Sequence, residues 1–135
     1  MLKNTLNSIS PLDGRYATKL IELEQYFSEF ALIKNRVIVE INWLIFMSRT
    51  KSLSFVPALS KTKETSFLKI IEEFSLKDAE QIKKIEAKTN HDVKAVEIFI
   101  RKKLESLNLK KYSEFVHLFC TSEDINILSY SLMLK

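Results

Sequence analysis

The sequence predicts an all-α fold, and three observations lead there. Turn-forming residues are nearly absent: one glycine, Gly14, and two prolines, Pro11 and Pro57, occur in 135 residues. A strand-rich chain would need many more of them to close its hairpins. Apolar residues recur every three or four positions through most of the chain, which is the helical period. A hydrophobic content of 46% beside 28% charged residues supplies the core of one domain, and the length does not require two.

Taken in order, the opening stretch MLKNTLNSISPLD has neither the apolar segment nor the small-residue cleavage site of a secretory leader. The single cysteine, Cys120, has no partner for an internal disulfide, so a reducing, cytoplasmic setting is expected. In PLDGRY the glycine stands where a turn can use a positive φ, and Arg15 and Tyr16 follow it. A guanidinium fork beside a phenol suits a phosphate group, although such residues after a turn also serve as plain surface. From Ser28 to Met47, Phe30, Ile33, Val37, Ile41 and Leu44 form one apolar series and Leu32, Val39, Trp43 and Phe46 another. At about 100° per residue the two series lie on opposite sides of one helix, roughly 30 Å long, that must be packed on both. Its apolar run, Val37 to Met47, is interrupted by Glu40 and Asn42 and falls short of the roughly 20 residues of a bilayer span. No membrane helix is expected.

Helical patterns continue over Thr62 to Phe74 and Asp78 to Lys88, with Ser75 or Asp78 as a cap. The stretch KTNHDVKAVE then opens a helix with Val93, Val96, Ile100, Leu104 and Leu107 on one stripe and His91, Lys94 and Lys102 opposite. The last segment, TSEDINILSYSLMLK, starts a helix at about Thr121, with Ile125, Leu128, Leu132, Met133 and Leu134 still apolar and no stop signal. On this pattern the chain reads as the N-terminal part of something longer.

Thr89-x-x-Asp92 and Thr121-x-x-Asp124 share the form of a capping box, a hydroxyl N-cap with a carboxylate three residues on. Each such cap stabilises its helix by about 1 kcal/mol, and capping is a sufficient reason for both. A helix start also offers unpaired N–H groups and about half a positive charge, which suits a carboxylate or phosphate. Asn90 and His91 at one start, and Thr121 and Ser122 at the other, add side-chain donors, so both could face one anionic ligand. His91 lies off the apolar stripe, and Asp92 is placed to hold its tautomer. His117 and Cys120, three apart, resemble a metal pair, but two histidines and one cysteine in the chain make a buried cysteine in FVHLFC the better reading. The net charge of +4 is spread over 21 basic and 17 acidic residues and fits a small anion as well as it fits nucleic acid. A helical adaptor or RNA-binding domain using Arg101 to Lys111 is the rival reading, without the interleaved aromatics that would support it.

Together, PLDGRY, FSEFALIKNRVIVEINWL, TNHDVKAVEIFI and CTSEDINILSYSLMLK resemble the adenylosuccinate lyase family of the fumarase/aspartase superfamily, in order and over nearly the whole chain. The resemblance implies a carbon–nitrogen lyase of purine biosynthesis. It removes fumarate by β-elimination from adenylosuccinate, giving AMP, and from the succinylated aminoimidazole carboxamide ribotide. It implies no cofactor, no metal, no nucleic acid and no membrane, and a homotetramer whose active sites draw on several subunits. Residues 1–120 would be the N-terminal helical domain and 121–135 the start of a central-bundle helix. Arg15 and Tyr16 would contact the nucleotide phosphate, Asn90, His91 and Asp92 would line the pocket, and Thr121 and Ser122 would hold the succinyl group. The family's general-acid histidine and general-base serine fall outside these residues. The resemblance therefore implies no catalytic acid or base here, and an inactive chain on its own.

Overall fold

The computed structural model describes residues 5–135; the first four residues of the opening stretch lie outside the described ones. Among the described residues six α-helices occur and no strand: α1 (Glu24–Phe27), α2 (Glu29–Arg49), α3 (Lys61–Glu72), α4 (Leu76–Thr89), α5 (Asp92–Ser106) and α6 (Ser122–Met133). Short 3₁₀ turns link them, the longest at Lys110–Phe115. No helix among the described residues is long and apolar enough to cross a membrane.

The expected central helix is α2. Ser28 caps it with an extended backbone, its hydroxyl accepting the Ala31 amide at 3.1 Å. Ile33, Val37, Ile41 and Leu44 are buried in the main core with Phe67 of α3, Ile82 of α4 and Val96 and Ile100 of α5. The opposite series is covered less evenly. Val39 joins Val93 and Ile125 in a small separate cluster, and Trp43 donates from its ring nitrogen to the Leu118 carbonyl at 2.8 Å. Phe46 departs from expectation: 57% exposed, it stacks on Trp43 at 5.4 Å between centroids. It sits in the last turns of α2, where α6 no longer covers the helix and a groove of about 680 Å³ opens between them, lined also by Ile38, Leu128 and Leu132.

The sequence signals place the other boundaries to within a few residues. Ser60 caps α3, accepting from the Lys63 amide at 3.4 Å. Of the two candidates before α4, Ser75 is the cap, and Asp78 accepts from its amide at 3.0 Å and its hydroxyl at 2.7 Å. Lys103 of α5 also reaches Asp78, at 2.8 Å. Burial alone would push this carboxyl up, but Lys103 and Ser75 outweigh it and hold Asp78 below the usual range. Along α5 the apolar stripe is buried through Leu104, while Leu107, just past the helix, is exposed. Tyr112, fully buried, meets Phe67 edge-on at 5.3 Å and donates to the Ala58 carbonyl at 2.9 Å, which fastens the loop before α3 to the core.

The two sides of α2 should therefore respond unequally. Ile41→Ala is expected to cost about 2–5 kcal/mol in chemical denaturation, because it leaves a cavity in the sealed core. Phe46→Ala should cost under about 1 kcal/mol; equal losses would contradict this division of the two faces.

Candidate functional site

The start of α5 is built by a reversal of the chain within two residues. Asn90 ends α4 in the left-handed region (φ 52°, ψ 33°), a conformation asparagine tolerates, and His91 then turns extended (φ −148°, ψ 112°). The cap of α5 is His91, whose Nδ1 accepts the Lys94 amide at 3.1 Å. The expected box between Thr89 and Asp92 does not form. Helix α4 runs on through Thr89, so its hydroxyl turns back to donate to the Ile85 carbonyl at 3.3 Å and the His91 carbonyl at 3.2 Å. Nor does Asp92 hold the histidine tautomer: its Oδ1 lies 3.8 Å from Nδ1, and that nitrogen already accepts a hydrogen bond. The neutral ring thus keeps its proton on Nε2, at an exposed position.

Asp92 looks inward instead. Its Oδ1 accepts from the Val93 amide at 2.8 Å and its Oδ2 from Arg36 Nη2 at 2.6 Å. Partial burial works against ionisation, but the Val93 amide and the Arg36 charge prevail and keep Asp92 below the usual carboxylate range. At the start of α6 the expected capping box is present: the Asp124 amide donates to Thr121 Oγ1 at 3.4 Å, and Asp124 Oδ2 accepts from the Thr121 amide at 2.7 Å. The Thr121 hydroxyl also donates to that carboxylate, at 2.9 Å, and the amide first, then the hydroxyl, hold Asp124 low. Thr121 is committed within its own turn, whereas the half-buried Ser122 hydroxyl is uncommitted.

The two starts are tied together by one side chain. Arg36 of α2, 5% exposed, donates through Nη2 to Asp92 and through Nε to Asn126 Oδ1 at 3.0 Å. Asn90, His91, Asp92, Thr121 and Ser122 therefore occupy neighbouring turns of two helices fixed to a common guanidinium. Arg15 and Tyr16 do not join them. Both are exposed, with Lys19 lying 6.0 Å over the Tyr16 ring. The turn before them closes on the Pro11 carbonyl, which accepts the Gly14 amide at 3.3 Å and the Tyr16 amide at 3.0 Å. It does so without a positive φ at Gly14, so the expected reason for the glycine is wrong; the residue is instead buried.

The sequence reading missed Arg36 and Glu40. Glu40 is 1% exposed, its Oε1 lies 2.6 Å from His117 Nδ1, and its Oε2 has no partner. Burial dominates and pushes this carboxyl up, with Glu97 adding to the effect and His117 opposing it. The signal was present as a charge interrupting an apolar run. His117, in the left-handed region at φ 65°, is thus engaged by a carboxylate of α2. The Cys120 thiol is pushed up to about 11, first by burial and then by the Glu40 and Asp124 charges, so it is protonated at neutral pH. In the basic segment, Arg101 pairs with Glu97 at 2.8 Å and Lys103 with Asp78, so part of that charge is neutralised internally.

No family model matches the chain. Comparison with curated proteins is decisive: an adenylosuccinate lyase of Haemophilus influenzae is 50% identical over 137 residues, covering all of this chain. Over its whole length the chain is similar to adenylosuccinate lyases. Those of Vibrio cholerae and Escherichia coli K12 are 47% and 46% identical, each over 98% of the chain. The chain spans about 30% of the length of the adenylosuccinate lyases it matches.

The buried carboxyl yields a pH prediction. Glu40 is raised from an ordinary value of 4.5, so the folded chain binds this proton more tightly than the unfolded one. Its contribution is fully present below pH 4.5 and is lost as pH rises through the raised value. The melting temperature of Glu40→Gln should therefore gain on that of the parent as pH climbs from 4.5; a difference independent of pH would contradict the assignment.

Proposed function

We propose that this chain forms part of an adenylosuccinate lyase, which releases fumarate from adenylosuccinate and from the succinylated aminoimidazole carboxamide ribotide in purine biosynthesis. The observation that carries the reading is the pair of polar helix starts held side by side on Arg36, in a chain alike throughout to proteins of that name. In the reaction a base takes a proton from the carbon beside a carboxylate, charge moves onto that carboxylate, and the carbon–nitrogen bond breaks as an acid delivers a proton to the nitrogen, leaving a neutral amine and fumarate. Donors aimed at the growing charge accelerate such a step.

Asn90, the His91 Nε2–H, the Ser122 hydroxyl and the amides of the α6 start are the donors proposed for the succinyl carboxylates and the pocket wall. Thr121 enters this picture mainly as the cap that presents Ser122, and Asp92 as the anchor of the α5 start. Arg15 and Tyr16 are proposed to meet the nucleotide phosphate, which requires them to lie across the pocket from these helices. Proton transfer is assigned to residues outside this chain, and no cofactor is invoked. Residues 1–120 are read as the N-terminal domain and 121–135 as the start of a bundle helix in a cytoplasmic homotetramer.

A chimera tests the proposal: residues 1–135 replace the matching 30% of the Haemophilus influenzae protein. Ser122→Ala should lower kcat/KM about 10²-fold with little change in melting temperature. His91→Gln should do the same, with much of its effect in KM. Loss of stability without a kinetic defect would reduce both residues to caps. The 135-residue chain alone should release no fumarate, since a positioned acid and base each supply about 10²- to 10⁴-fold; measurable release would overturn that assignment.

A further inference from the structure

The junction of α2, α5 and α6 has two layers, each drawn from the same three helices. Val39, Val93 and Ile125 form the apolar layer. Arg36, Asp92 and Asn126 form the polar layer, one residue back on α5, one residue along on α6 and one turn back on α2. An apolar contact of three aliphatic side chains is non-directional and leaves a short helix free to rotate or slide. A planar guanidinium bonded through Nε and Nη2 to two different helices is directional and leaves little such freedom.

We infer that Arg36 is a positioning residue for the lyase reaction, setting the separation of His91 on α5 from Ser122 on α6. The inference rests on the function proposed above. Asp92 adjoins His91, and Asn126 lies one turn beyond Ser122, at i+4 on the same helix face. Each prong of the guanidinium thus holds the turn that carries one of the proposed donors. A buried guanidinium keeps its charge and is costly to leave unpaired, so both bonds are maintained together. Small displacements matter here, because about 1 Å of misplacement can cost about 10²-fold in rate.

The test uses the same chimera and a double-mutant cycle. Arg36→Lys keeps the charge and lacks the rigid planar fork that fixes both partners at once. It is expected to lower kcat/KM by about 10- to 100-fold in the otherwise unchanged chimera, mainly through kcat, and by less than about 3-fold when Ser122→Ala is already present. A merely structural role would give equal losses in the two backgrounds, and that result overturns the inference, as does an unaltered kcat/KM. Should Arg36→Lys fold poorly, Asn126→Ala removes one prong only and should show the same non-additivity with Ser122→Ala. An unsubstituted chimera that releases no fumarate refutes the lyase reading and this role with it; an active chimera with additive losses refutes the role of Arg36 alone.

Discussion

Helix α2 has to hide two opposite faces along 21 residues, and the placement of the neighbouring helices follows from that. A helix with one apolar stripe can lie on a core's surface, whereas one with two must pass through the middle. On one side α3, α4 and α5 seal Ile33, Val37, Ile41 and Leu44. On the other, α6 covers Val39 but leaves Phe46 exposed. The unevenness places the thinner packing beside the helix starts that carry the proposed donors.

Between the two apolar faces α2 carries a third, polar one. Arg36 and Glu40, four residues apart, share a side of the helix, and both are nearly inaccessible to water. They resolve their burial differently. Arg36 stays charged and is satisfied by a carboxylate and an amide oxygen, whereas Glu40 keeps one oxygen without a partner and has its titration pushed up. Both act on the chain around α6: Arg36 holds its first turns, and Glu40 holds His117 a few residues earlier. Burial of these two groups is weak evidence for stability, since apolar replacements of buried charges are often no less stable.

The capping residues divide their labour in a way their patterns do not announce. Thr121 and Asp124 satisfy each other, which leaves Ser122 as the free hydroxyl. At α5 the histidine is itself the cap through Nδ1, which leaves its other nitrogen as a donor. A helix start can thus be structurally complete and still present uncommitted groups to an anion.

Local information in the sequence determined much of this. Scarce turn residues and three-to-four spacing are properties of neighbouring residues, so the all-α class, the double-faced α2 and the cap at Thr121 were legible without a fold. The resemblance of TNHDVKAVEIFI and TSEDIN to one enzyme family likewise needed no coordinates. Tertiary structure decided what depends on distant partners. Whether Thr89 caps α5 or ends α4 turned on where the chain reverses, and the left-handed Asn90 settled it. That Asp92 serves Arg36 rather than His91 depended on a side chain 56 residues away. The joining of the two helix starts could not be read from either motif, because the guanidinium that joins them belongs to a third helix and its bonds exist only once all three have packed.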